Sequence, residues 1–457
     1  MKIAFICTEK LPVPPVSGGA IQIYIEGILP EIAKHHEITV FGVEHKSLAD
    51  EERVNGVTYI RVQGDSREDY ISNVENKLDD SYDLIHVFNR PRWIHRLSAR
   101  YPNAKFSLSL HNEMFHEKKI SKHMALSSIN KVEFITTVSR FIAEELVKLF
   151  PEAEEKVHTV YSGVDLDKYR PVMSEEGKAQ KEAIKKELGI ENKKVVLFVG
   201  RLGEKKGVDK LIAAMKSVMN ARNDVALVII GSKWYGKNTA DEYTRSVAAQ
   251  ALELSGPVLF TGYLSPDIIP AYYNVGDVLV CPSQWREPLA RVHYEAMAAG
   301  LPIITTDRGG NKEVVEGYGN GIVIEDYSNP DAFALRILSL LDNPELALAM
   351  GQNGRKLAEG MFSWKRVADD LLALINKTER APGFTQVLTE QPALITSEAP
   401  EQVKNAEAAT GKPGRTAPNV SDEEFRYFIR RRYPTIPDDV VKFLENYKEH
   451  FIQGELY

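Results

Sequence analysis

Cysteine is nearly missing from this chain: 457 residues contain only Cys7 and Cys281. Each ends a strand-like run, "IAFIC" and "VLVC". Both therefore read as small core residues rather than a disulfide or metal set, and a reducing compartment fits them. Long hydrophobic runs are missing too, so no stretch reaches membrane-spanning length. The opening "MKIAFICTEK" reads as a strand and is too short for a signal-peptide core. The expected location is cytoplasmic, or peripheral to a larger assembly. Positive charge is not in excess: 57 Lys and Arg face 64 Asp and Glu, a net charge of −7. That argues against a general nucleic-acid binder, while leaving room for a local basic site for phosphate. Clustered metal ligands are lacking as well. His111 and His116 have poor ligand spacing, so no metal is expected. No repeat of solenoid period is evident.

What is present is an ordinary soluble composition, 43% hydrophobic and 26% charged, in a chain long enough for two domains. Short runs rich in β-branched residues alternate with amphipathic helical patterns. The first half carries them from "KIAFIC" to "EFITTVS", the second from "KKVVLFVG" to "PIITT". Near-continuous apolar runs between helices mark parallel strands buried on both faces. The series restarts near residue 194, after "YSGVDLDKYRP" and a charged helix, which places a hinge around 165–190. The expected architecture is α/β: two doubly wound domains, 1–170 and 171–378, with the ligand cleft between them. A last helix near 362–378 would cross back to the first domain. From 379 to 420 the composition turns to Ala, Pro, Glu and Thr without apolar period, which reads as a flexible linker. Residues 421–457 read as two short helices, with Ser421 and Glu424 as a capping box. So small a segment suits docking onto a protein partner better than folding alone.

Four segments carry candidate chemistry. In "EPLARVHYEAMAAGLPII", Glu287 and Glu295 stand with seven residues between them near a helix start. Pro288 is expected in the first helical turn, and Gly300-Leu301-Pro302 stops the helix. Helix N-termini attract anions, and carboxylates accept hydrogen bonds from sugar hydroxyls. On spacing alone this is an ordinary solvated pair. At the end of a buried strand, it suits a ligand carrying both phosphate and hydroxyls, such as a nucleotide-sugar. In "FVGRLGEKKGVDKLI", Arg201 and Lys206 can converge on a phosphate from a glycine-punctuated loop. The spacing matches neither the P-loop nor the dinucleotide fingerprint, which disfavours an ATPase or a dehydrogenase. Gly18-Gly19, before an amphipathic helix, lets backbone approach a ligand, although such a pair is more often a plain turn. His111 ends the strand "LSL", facing the expected cleft.

These segments, in this order, resemble the GT-B-fold retaining glycosyltransferases of family 4. The likeness runs over about residues 1–378 and includes "SGVDLDKYRP" and "GGNKEVV" (309–315). The resemblance implies that Arg201 and Lys206 hold the diphosphate of a nucleotide-sugar donor. It assigns Glu295 to the ribose, Glu287 to the transferred sugar, His111 to the reacting centre, and Gly18-Gly19 to close approach of the loop to the diphosphate. It implies a metal-independent hexosyl transfer with retention by front-face attack, onto a glycan or another surface or spore-coat acceptor. The chain departs from the family pattern at Leu289-Ala290 (commonly Phe-Gly), Ile21 (often Glu) and Ser162 (usually Asn). A rival expectation is a coat structural protein that keeps the fold and has lost turnover. A second is an epimerase on the same fold.

Overall fold

The computed structural model describes residues 1–232 and 242–379, together with the isolated positions 421, 423 and 426. The expected linker and C-terminal helical segment otherwise lie outside the described residues.

In the first domain the elements run β1 (Lys2–Ile6), α1 (Ala20–Ile32), β2 (Glu37–Val43), β3 (Glu51–Val54), β4 (Val57–Val62), α2 (Arg67–Lys77) and β5 (Leu84–Phe88). They continue with α3 (Pro91–Arg100), β6 (Lys105–Leu110), α4 (Lys122–Lys131), β7 (Phe134–Thr137), α5 (Arg140–Leu149) and β8 (Val157–Thr159). The eight strands are ordered β3-β4-β2-β1-β5-β6-β7-β8. All neighbours pair in parallel except the β3–β4 hairpin. Strand alternation sends Ile3 and Phe5 to one face and Ala4 and Ile6 to the other, and helices cover both.

The second domain opens with α6 (Glu175–Glu187), β9 (Lys194–Val199), α7 (Val208–Ala221), β10 (Val225–Ile230), α8 (Glu242–Leu252), β11 (Val258–Gly262) and α9 (Ile269–Tyr273). It closes with β12 (Val278–Cys281), α10 (Val292–Ala299), β13 (Ile303–Thr306), β14 (Gly321–Ile324), α11 (Pro330–Asp342), α12 (Pro344–Met361) and α13 (Trp364–Glu379). Its six strands are all parallel, in the order β11-β10-β9-β12-β13-β14.

The helix α13 belongs by packing to the first domain. Val367, Ala368, Leu371 and Ile375 share one buried cluster with Tyr24, Ile25 and Ile28 of α1 and Ile3 and Phe5 of β1. The two chain passages between the domains run side by side: Val164 N–H donates to the Phe362 carbonyl at 2.8 Å, and Val164 bridges Ser363. Cys7 and Cys281 are free and buried.

Beneath the cleft, His86 on β5 is fully buried, each ring nitrogen 2.7 Å from a serine hydroxyl, Ser107 or Ser109. Burial, and then His111, pushes its pKa down to about 3. His111 is pushed to about 3 by burial and then Arg291, and His293 to about 4, mainly by burial. Their folded pKa values lie below the unfolded one, so the unfolded chain binds more protons and stability must fall as pH drops below about 6.5. Each neutral histidine forfeits about 2 kcal/mol at pH 5 relative to neutral pH. The melting midpoint should therefore fall steeply from pH 7.5 to 5. A flat profile across that interval would contradict the neutral, buried assignment.

Candidate functional site

A cleft of about 910 Å³ opens between the two domains, where the carboxyl ends of both sheets meet. It is lined by all seven residues singled out from the sequence: Gly18, Gly19, His111, Arg201, Lys206, Glu287 and Glu295. Each arrives from a loop or helix that follows a strand.

The loop after β1 ends at Gly19, whose φ of 109° lies in the region open to glycine. A Cβ there would stand 2.3 Å from Gln22 Oε1 and 2.8 Å from Leu11. Gln22 in turn braces the loop by donating to the Leu11 carbonyl at 3.1 Å and to Thr8 Oγ1 at 3.3 Å. This first wall is therefore held by an amide clamp inside the domain. At the end of β6, the His111 backbone N–H donates to Asn89 Oδ1 at 3.1 Å, and its ring packs edge-on against Tyr24 with centroids 4.9 Å apart. Among the described residues its Nε2 is buried without a hydrogen-bond partner. With its pKa lowered as above, the ring is uncharged at neutral pH, so it offers a hydrogen bond rather than a charge.

The second wall supplies the charged residues singled out from the sequence. Arg201 follows β9 and is exposed to the cleft. Lys206 ends a short 3₁₀ turn, Glu204–Lys206, and its Nζ lies 2.8 Å from Glu287 Oε2. The same Glu287 oxygen accepts from Trp285 Nε1 at 2.5 Å and from Ser283 Oγ at 3.3 Å. Glu287 is 7% exposed, so this is a desolvated carboxylate kept in place by one cation and two neutral donors. Glu295 Oε2 accepts from the phenol of Tyr273, itself fully buried, at 2.6 Å; Arg291 Nε stands 3.5 Å from Glu295 Oε1. Burial and the neighbouring Glu295 raise the Tyr273 pKa, so the phenol stays protonated and donates.

One sequence expectation is corrected. Pro288 does not start the helix: α10 begins at Val292, with Arg291 as its N-cap. Residues before it are tied down differently. Glu287 pairs with Gly309 as an isolated bridge, and Gly310 N–H donates to the Glu287 carbonyl at 2.8 Å. Ala290 N–H donates to Asn311 Oδ1 at 3.1 Å. These bonds hold the segment outside the helix, so Glu287 projects from a loop and Glu295 from the helix's first turn. Sequence reasoning missed Tyr273, Trp285 and Ser283. Trp285 and Ser283 lie within four residues of Glu287 and were open to inspection. Tyr273 sits one strand–helix step away, 22 residues before Glu295, with no local signal.

Family models match nearly the whole body of the chain: "Glycosyltransferase Family 4" over residues 18–168 and "Glycosyl transferases group 1" over 180–357. The chain belongs to the group 1 glycosyltransferases. It is 47% identical over 377 residues to Spore coat protein SA of Bacillus subtilis (strain 168), covering 82% of this chain and 100% of that one. It is 44% identical over 372 residues to the putative glycosyltransferase YtcC of the same organism, covering 81% and 91%. Among solved structures, sucrose-phosphate synthase from Thermosynechococcus elongatus superposes with a TM-score of 0.68 at 21% identity, over 83% of this chain and 99% of that one. Anabaena Alr3699/HepE in complex with UDP and glucose gives 0.67 at 19%, over 82% and 99%. The architecture is that of the GT-B glycosyltransferases, two Rossmann-like domains facing one cleft. Among the described residues, no helix is long and apolar enough to cross a membrane.

Proposed function

We propose that the cleft binds a nucleoside-diphosphate sugar and transfers its sugar, with retention and without a resident metal, to a hydroxyl of a glycan or other surface or spore-coat polymer. The observation that carries this reading is the Lys206–Glu287 pair, set beside Glu295 on one wall and opposite His111 on the other. Phosphate, ribose and sugar differ in what they need. Lys206, with Arg201, meets the diphosphate's charge; Glu295, steadied by Tyr273, accepts from the ribose hydroxyls; Glu287 accepts from the sugar. In the reaction the bond from the anomeric carbon to the diphosphate oxygen breaks and the acceptor oxygen bonds to that carbon. The departing diphosphate takes the acceptor's proton. Cations placed on the leaving group lower the barrier because charge grows there in the transition state. His111, neutral, contributes a hydrogen bond near the reacting centre. The spore-coat relative favours a second reading, a coat component that binds the nucleotide and has lost turnover.

Calorimetry with UDP, ADP and GDP tests the site. One of them should bind, and Lys206→Ala and Arg201→Ala should each weaken it by roughly tenfold or more, the worth of a charge-assisted hydrogen bond. Unchanged binding in both variants would remove the phosphate assignment. Turnover of the cognate donor should survive EDTA. Binding without any transfer or donor hydrolysis would favour the coat-component reading.

A further inference from the structure

We propose that helix α5 of the first domain is the seat that registers the sugar-holding segment 285–290, with Glu313 and Arg286 as its positioning residues. The inference rests on the reading of Glu287 above, but its geometry lies outside the cleft's polar lining. Glu313 belongs to the "GGNKEVV" loop of the second domain, and its side chain is only 8% exposed. One of its oxygens accepts from the Phe141 N–H at 2.7 Å; the other accepts from the Arg140 N–H at 2.8 Å. Those are the first two amides of α5, a helix whose N-cap side chain, Ser139 Oγ, accepts from the Ile142 N–H at 3.3 Å and leaves these two to another partner. Glu313 therefore caps a helix in the other domain, where a carboxylate also suits the helix dipole. The Tyr161 phenol donates to the same carboxylate at 2.8 Å, and its pKa is raised by burial and by Glu313.

The loop that carries Glu313 also carries the catalytic segment. Gly310 donates to the Glu287 carbonyl, Asn311 accepts from Ala290, and a Cβ on Gly310 would stand 2.8 Å from the Ser139 Cβ. One loop thus touches the α5 N-terminus and Glu287 at once. On the other side of Glu287, Arg286 reaches back to the same helix. Its Nη2 pairs with Glu145 at 2.7 Å and its guanidinium lies 4.7 Å over the Phe141 ring. Segment 285–290 is held to α5 from both flanks, which is more than a fold needs to close a cleft. Its effect is to fix where Glu287 stands relative to His111, a distance that crosses the domain boundary.

A positioning role predicts a split that general damage would not give. In Glu313→Ala, kcat should fall about tenfold or more while UDP affinity, whose proposed charged partners Arg201, Lys206 and Glu295 all lie in the second domain, stays within about twofold. Spin labels at Glu152→Cys and Lys216→Cys, one exposed site in each domain, should show a broader interdomain distance distribution in Glu313→Ala than in the wild type. The native cysteines are buried and should stay unlabelled. Arg286→Ala, at a side chain 47% exposed, provides a second variant if Glu313→Ala does not fold, with a smaller change in the same direction. A distribution as narrow as the wild type's in the variants that fold would overturn the proposal, as would a loss of UDP affinity equal to the loss of kcat. If the wild type binds no nucleoside diphosphate, the reading of the cleft fails, and the label distances still decide whether α5 is the seat.

Discussion

Where UDP is the diphosphate bound, Glu287→Gln should bind it at least as tightly as the wild type while losing turnover by roughly 10- to 100-fold. In the free protein Lys206 spends its charge on Glu287, 2.8 Å away. The amide is neutral, so it stops competing with a diphosphate for Lys206, and UDP gains. The sugar loses, because the amide presents a donor where a hydroxyl expects an acceptor. A charged contact of this kind is worth about 1–3 kcal/mol, more if it tightens in the transition state. Glu295→Gln should behave oppositely and weaken UDP and the intact donor alike, since both carry the ribose. Calorimetry with UDP and with the intact donor, beside turnover, separates the two. Equal losses for both ligands in both variants would reduce the glutamates to structural support of the wall.

Gly309→Ala should be among the most damaging single methyls in the second domain's half of the site. Gly309 holds φ at +65°, and a Cβ there would meet the Glu287 carbonyl oxygen at 2.0 Å and its nitrogen at 2.7 Å. The obstacle is backbone on both counts, so no side chain can swing away. A left-handed backbone with a Cβ costs about 1–2 kcal/mol before any clash is counted. Relief requires moving the Glu287 backbone itself, so turnover should fall by more than about 100-fold, with a melting midpoint several degrees lower. A variant with wild-type turnover would show that the 287–309 bridge is not needed to place the carboxylate.

The strands buried on both faces were legible because their apolar runs are dictated from two sides at once. Of the edge strands only β11 was, through the run "PVLFTG". β3 is "EERV", largely exposed, and β14 and β8 are short, because an edge needs one partner's hydrogen bonds and little burial. The site residues were legible where they sit at strand ends, a position the chain order reveals. Their partnerships were not. That Lys206 would reach Glu287 across 81 residues, or that Tyr273 would hold Glu295, follows from how β9, β12 and α9 stack, and no spacing encodes it. Pro288 shows the reverse error. Local propensity favours a helix start there, but long-range bonds to Gly309, Gly310 and Asn311 hold the segment outside the helix.

The return of α13 to the first domain has a consequence for biosynthesis. As the ribosome delivers the chain, strands β1 to β8 emerge first, yet the apolar face of α1 that Val367, Leu371 and Ile375 cover must wait until some 210 residues beyond β8 have been made. The second domain emerges in between and holds nearly all of its own core, so it can close while the first is still unfinished. Domains generally fold as units in the order of synthesis. Here the half born first is sealed last, and a nascent chain stalled before Trp364 would carry an open greasy stripe, a natural handle for a chaperone.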